Sequence, residues 1–312
     1  ADIRRWYAVV SGRPPQVDLP TRADFTFGEP VNLQSTFPLL DLANDFLGCI
    51  SADGLEMYFD SIRGGGQGKD DLWVCKRASV EDDWGPPENL GPAVNSASME
   101  QVVSLSGDGL ELYVFSLRPG YPGNGDLYVS KRATRNSPWG PARNLGPKVN
   151  SPYVDFTPRV SFDGLELYFS SNRPAGHGGT DLYVSARATP DDPWGDPVNL
   201  GPAVNSPAGD TFACPSQDGL LLFFASARPG GNGDWDIWVA RRASRSAPWE
   251  PAVNLGPVVN GPGSDGVPFL PADGSALYFM RESGGTWTQW KAPILPIRAP
   301  GGEPLKGERD QK

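Results

Sequence analysis

The strongest constraint on this chain is a phrase that it repeats every 55 residues. Asp-Gly pairs stand at 53–54, 108–109, 163–164, 218–219 and 273–274, each 55 residues after the last. Four of them sit in Ser-x-Asp-Gly, as "SADG", "SGDG", "SFDG" and "SQDG", and the fifth reads "PADG". Two more markers keep the period. One is "DLWV" at 71, "DLYV" at 126 and 181, and "DIWV" at 236. The other is "WGPPENLG" from 84, "WGPARNLG" from 139, "WGDPVNLG" from 194 and "WEPAVNLG" from 249. A fixed period of this kind means repeated supersecondary units, and it outranks any local reading.

Within one copy the local structure is legible. Asp-Gly supplies the positive φ angles of a tight two-residue hairpin turn. "DFTPRVS" precedes the turn and "LELYFSS" follows it, with Leu165, Leu167 and Phe169 alternating against Glu166 and Tyr168. A Gly-rich loop leads to "DLYVSAR", and a Pro-containing link leads to "WGDPVNLG". That makes four short strands per copy, with no helical pattern, in a chain whose 38 Gly and 33 Pro favour turns. Four antiparallel strands repeated radially describe an all-β, five-bladed β-propeller. The fifth copy ends after "GTWTQWKAPI" without its own Trp-Gly-x-Pro-x-Asn-Leu segment, and "FGEPVNL" at 27–33 supplies one. The N-terminal strand is therefore expected to complete the last blade and close the ring. The expected layout is an extension at 1–24, one propeller domain at 25–298 and a polar tail at 299–312.

The markers together, Ser-x-Asp-Gly-Leu-x-Leu-Tyr-Phe-x-Ser-x-Arg, a Gly-rich loop, Asp-Leu-Tyr-Val and Trp-Gly-x-Pro-x-Asn-Leu-Gly, resemble the WD-like propeller repeats of the TolB type. Such repeats also occur in OmpA-linked envelope proteins. The resemblance spans about residues 25 to 295 and implies a propeller with a non-catalytic, protein-binding role in the bacterial envelope. Copy five departs from it: Arg281, Glu282 and Ser283 replace Ser-x-Arg, and Thr288 replaces the loop Asp.

Composition narrows the function classes. A formal net charge of −10 with no Lys/Arg run disfavours nucleic acid and anionic lipid surfaces. No stretch approaches the roughly 18 apolar residues of a membrane helix. The start at Ala1 reads as a processed end and points to an extracytoplasmic, periplasmic or secreted protein. Cys49, Cys75 and Cys214 read as buried free thiols. Cys49 and Cys75 lie two strands apart in one blade, about 9.6 Å, beyond disulfide reach.

Several residues carry candidate chemistry. Asp45, Glu100, Asp155, Asp210 and Asp265 share one repeat position at the start of the innermost strand, which would ring one mouth of the channel with carboxylates. Such a ring could seat a cation or a basic partner segment. The plainer reading pairs each acid with Arg63, Arg118, Arg173 or Arg228. Glycosidase chemistry needs two carboxylates in different environments, and these should be exceptions to the repeat, whereas the five are its rule. His177, the single histidine, excludes a His-based zinc site or triad. Asn232, Asp234 and Asp236 in "GGNGDWDIW" make calcium the one cofactor raised, although the loop lacks the sixth-position Gly and distal Glu of a calcium loop. Trp84, Trp139, Trp194 and Trp249 read as packing between blades, and Trp235, outside the pattern, as an exposed binding aromatic. The expected function is a non-catalytic interaction scaffold, an accessory subunit of an extracytoplasmic or membrane-associated assembly. Its protein partners would meet the terminal extensions and blade loops. A carbohydrate-binding, lectin-like propeller and a glycosidase-like enzyme are the alternatives.

Overall fold

The structure, a computed structural model, describes residues 25–33, 45–120 and 123–296; the expected extension 1–24 and tail 299–312 lie outside the described residues. Two short strands, β1 (Phe25–Phe27) and β2 (Val31–Asn32), come first. Blade one then runs from the axis outward through β3 (Asp45–Ile50), β4 (Glu56–Ser61), β5 (Asp71–Lys76) and β6 (Glu88–Asn89). Blade two is β7 (Glu100–Leu105) to β10 (Arg143–Asn144), and blade three β11 (Asp155–Val160) to β14 (Val198–Asn199). Blade four is β15 (Asp210–Pro215) to β18 (Val253–Asn254). Blade five holds β19 (Asp265–Phe269), β20 (Ala276–Ser283) and β21 (Thr286–Pro296). It is completed by the N-terminal strands, with Phe27 opposite Ile294 and Val31 opposite Lys291, as the displaced phrase "FGEPVNL", missing from the fifth copy, requires. No helix among the described residues is long and apolar enough to cross a membrane.

Both faces of a blade are buried, which blurs the alternation seen in the sequence. On the second strand of blade three, Leu167 and Phe169 pack into a core with Tyr113 and Leu127 of blade two. Tyr168 enters the next core, with Leu222 and Phe224 of blade four. Each blade junction thus owns a core, and the ring is a set of blades that cannot bury their faces alone. The four recurring tryptophans are part of this packing: Tyr58 meets Trp139 across one junction and Tyr113 meets Trp194 across the next. All three cysteines are free and buried.

The Asp-Gly turn differs from the two-residue hairpin expected. Gly54 N–H donates to Ser51 O at 2.8 Å, so the turn has four residues, and only Gly54, at φ 73°, takes the left-handed conformation. Asp53 instead caps the turn: its Oδ1 accepts Leu55 N–H at 3.1 Å and the Ser51 hydroxyl at 2.6 Å. Ser and Asp recur in the motif because they satisfy turn amides that no ladder reaches.

Candidate functional site

The five repeat acids stand where expected, one at the start of each innermost strand, and each is fully buried. Arg63 pairs with Asp45, Arg118 with Glu100 at 3.2 Å, Arg173 with Asp155 and Arg228 with Asp210, both at 2.6 Å. Arg281 reaches Asp265 through Nε at 2.7 Å. It does so from the repeat position where the other blades have Ser, a substitution that sequence comparison registered only as a missing Ser-x-Arg. Backbone amides add to the pairing, as from Ser206 to Asp210 at 2.6 Å. Each Arg also lies against the aromatic ring on its blade's third strand, for example Arg118 over Tyr128 at 4.6 Å. These acid–Arg–aromatic units tie first, second and third strands together at this mouth of the channel.

The asymmetry of the mouth lies beside them, at positions where the repeat is broken. Asp60, on the second strand of blade one, stands where the other copies have Phe115, Ser170, Ala225 and Met280. Its neighbour across the junction is Gln101, in the place of Phe46, Phe156, Thr211 and Gly266. Asp70 stands where others have Gly125, Thr180 and Trp235. Asp60 Oδ1 accepts the Val102 N–H at 3.1 Å, and Gln101 Nε2 donates to Asp70 Oδ2 at 2.6 Å. Val102 belongs to a bulge that recurs in blades two to five, with Val102, Thr157, Phe212 and Val267 all near φ +50°. The bulge turns its amide out of the ladder and toward the preceding blade, and only blade one places a carboxylate there.

These two carboxyls have perturbed protonation. Burial, reinforced by the nearby charge of Asp70, holds Asp60 well above the usual carboxylate range, against the opposing Val102 hydrogen bond. Asp70 is pushed up to about 6, by burial first and by repulsion from Asp71, Asp45 and Glu100, with the Gln101 hydrogen bond opposing. Its Oδ1 is buried and accepts no hydrogen bond among the described residues. The junction therefore holds two carboxyls that are both harder to ionise than usual and differ in what opposes their burial, the Val102 amide for Asp60 and the Gln101 side chain for Asp70. At two of the other junctions the residues in the places of Asp60 and Gln101 are Phe115 with Phe156, ring centroids 6.4 Å apart, and Ser170 with Thr211, 2.9 Å between hydroxyls. Ile62, Leu117 and Tyr153 are exposed at the same end of the strands.

The remaining candidates fall elsewhere. Asp236 Oδ2 accepts the Asn232 N–H at 2.8 Å, and Asn232 Nδ2 donates to Asn260 O at 2.9 Å, so both serve the hairpin loop. Asp71 and Asp181 hold their loops the same way. Asp234 is exposed beside them. Trp235 is half-buried, its ring so close to Gly209 that a Cβ there would meet it at 2.9 Å. Repeat comparison could have found Asp60 and Asp70, because a carboxylate replacing Phe, Ser, Ala and Met is a visible exception; what it could not supply is their convergence with Gln101 across a blade junction.

No family model matches the chain, and no curated protein is similar enough in sequence to count as a relative. Among solved structures it is similar to an α-L-arabinofuranosidase from Lactobacillus brevis, at TM-score 0.56 and 12% identity over 88% of this chain and 98% of that one. An endo-arabinase from Bacteroides thetaiotaomicron gives TM-score 0.51 and 17% identity over 88% and 99%. TolB from Acinetobacter baumannii gives TM-score 0.52 and 13% identity over 80% of this chain, which spans only 54% of that protein. At these identities the likeness is one of fold. The expectation of a non-catalytic scaffold, and with it the exclusion of an enzyme, is corrected: the propellers that share this fold over nearly their whole length include an arabinofuranosidase and an endo-arabinase. The exclusion assumed that the acids of the chain follow the repeat, and Asp60 and Asp70 do not.

Proposed function

We propose that the protein cleaves glycosidic bonds at the mouth ringed by the repeat acids, with Asp60 as general acid and Asp70 as the ionised partner. The observation that carries this reading is the pair of carboxyls that break the repeat at one blade junction, held by different partners, Val102 N–H on Asp60 and the Gln101 amide on Asp70. Glycoside cleavage needs such a pair, one carboxyl to protonate the leaving oxygen and one carboxylate to act on the other side. Asp60, whose pKa burial raises well above the usual carboxylate range, is the proton donor. Asp70, ionised above about pH 6, is the carboxylate partner, and its buried Oδ1 takes no hydrogen bond from the described residues. Gln101 holds its other oxygen. The exposed Tyr153, Leu117 and Ile62 offer apolar surface for sugar faces. The size and course of the arabinose-acting neighbours support the same reading and make arabinans and arabinofuranosides the first substrates to try.

Arabinan is met outside the cell, which fits an extracytoplasmic site of action, and the repeat phrases resemble the WD-like repeats of the TolB type. The test is release of product from arabinan and a panel of nitrophenyl glycosides. Asp60→Asn and Asp70→Asn should each lower kcat/KM by about 10²–10⁴-fold. The wild-type profile should rise with pH through about 6 as Asp70 ionises and fall again where Asp60 loses its proton. Cleavage undiminished in Asp60→Asn would place the chemistry elsewhere. Saturable glycan binding without any cleavage would replace this reading with the carbohydrate-binding one.

A further inference from the structure

The described residues enclose a cavity at the opposite end of the channel, bounded by the Asp-Gly turns of all five blades. Its floor lies four residues along each innermost strand from the acid ring, about 13 Å at roughly 3.3 Å per residue. It holds about 550 Å³ of atom-free space, its open mouth included. Its rim is the variable residue of the Ser-x-Asp-Gly motif: Ala52, Gly107, Phe162, Gln217 and Ala272. This accounts for the one unconstrained letter in an otherwise repeated phrase. The flanking Ser, Asp and Gly build the turn, while x looks onto the axis and serves no blade in particular.

Deeper in the cavity a second non-repeating set shares one position: Cys49, Ser104, Arg159, Cys214 and Phe269. Arg159 is 8% exposed. The other arginines buried as deeply, Arg132, Arg187 and Arg242, bond the carboxylates of Glu56, Glu111 and Glu166 at 2.6, 2.5 and 3.0 Å. Arg159 forms no ion pair among the described residues. It crosses the axis from blade three to donate one hydrogen bond, Nη1 to Gly48 O of blade one at 3.1 Å, and lies 5.5 Å from the Phe269 ring. The thiols beside it are no counter-ions, since burial pushes Cys49 up to about 12 and raises Cys214, with Arg159 opposing both. A guanidinium has five N–H donors in a planar fork suited to carboxylates, and a buried charge without a partner is costly.

We propose that this cavity binds a compact organic monocarboxylate, its carboxylate on Arg159 and its apolar body against Phe269, Leu270 and Phe162. One cation among thiols, a Ser already accepting the Val160 N–H, and apolar walls suits a single negative charge rather than a multiply charged oxyanion. The site is remote from Asp60 and Asp70 and stands or falls separately from glycan cleavage. Its test is titration of the full chain with acetate and benzoate at constant ionic strength, read by the unfolding midpoint and by ligand-observed NMR, with chloride as the ionic control. The carboxylates should raise the midpoint saturably and chloride should not. Arg159→Met should bind at least about tenfold more weakly and unfold no earlier than wild type in carboxylate-free buffer. Absence of saturable binding to wild type, or equal binding by Arg159→Met, overturns the proposal. Should Arg159→Met fail to fold, Ala272→Phe keeps Arg159 and blocks the rim. It should retain the wild-type midpoint and lose binding, and binding retained there overturns the site equally.

Discussion

Asp60 and Glu111 illustrate how differently two buried carboxyls are treated by one framework. For Glu111, burial alone would raise the pKa, but hydrogen bonds from Arg187, Lys131 and Tyr113 outweigh it and hold the group below its usual value. Its contribution to stability is present above the unfolded pKa and lost as pH falls through the lowered folded one. Asp60 has no cation of its own, so its folded pKa is raised and the sign reverses. The folded state holds a proton that the unfolded state releases, and stability is lost as pH rises above about 4. Replacing Asp60 with Asn keeps the shape and an acceptor for Val102 N–H while removing the charge. Asp60→Asn should therefore unfold at a higher midpoint than wild type at pH 8, by about 1–3 kcal/mol, and with little difference at pH 4. Calorimetry at the two pH values checks this. A lower midpoint at pH 8 would mark Asp60 as a structural charge. Gain of stability with loss of cleavage is the pattern of a functional group held against its own preference.

At the scale of the element, the recurrent "NLGPAVN" phrase is explained by one side chain. The second Asn of each copy is buried and clamps the second residue of the third strand in both directions. Leu182 N–H donates to Asn205 Oδ1 at 2.8 Å, and Asn205 Nδ2 donates to Leu182 O at 3.0 Å. Asn95, Asn150 and Asn260 do the same for Leu72, Leu127 and Ile237. The fourth strand pairs over only two residues, so the strand beside it would otherwise leave buried amides unsatisfied. Asn205→Ala should cost about 1–3 kcal/mol for each orphaned group. The check is a shift in the denaturant midpoint with early hydrogen exchange at the Leu182 amide; wild-type protection there would refute the clamp. The strands, their order and the place of each Asp-Gly turn were legible because each is spelled by residues with strong local preferences, while the four-residue form of the turn was not. The bulge was not, since nothing in Val102, Thr157, Phe212 or Val267 favours a left-handed conformation. The pairing of the neighbouring blade imposes it.

For the whole molecule, ring closure is the decisive event. Phe25 and Phe27 pack against the core shared by blades four and five, and Phe25 lies 6.3 Å from Phe223. Removing residues 1–33 should leave the outer edge of β21 unpaired and lower the unfolding midpoint by at least about 3 kcal/mol, on the scale of one lost aromatic. An unchanged midpoint in denaturant would show that closure contributes nothing. The sequence by itself determined the period, the number of blades, the acid–Arg pairing in four of them and the closing strand, because a repeat must satisfy the same local physics in every copy. Only the tertiary structure decided which departures from the repeat matter. Asp60, Asp70 and Gln101, or Arg159 and Phe269, lie far apart in the chain or on different blades, and become sites because the ring brings its inner strands around one axis. Whether a carboxyl or a guanidinium is then paired, buried or left with an open valence depends on neighbours that no single copy contains.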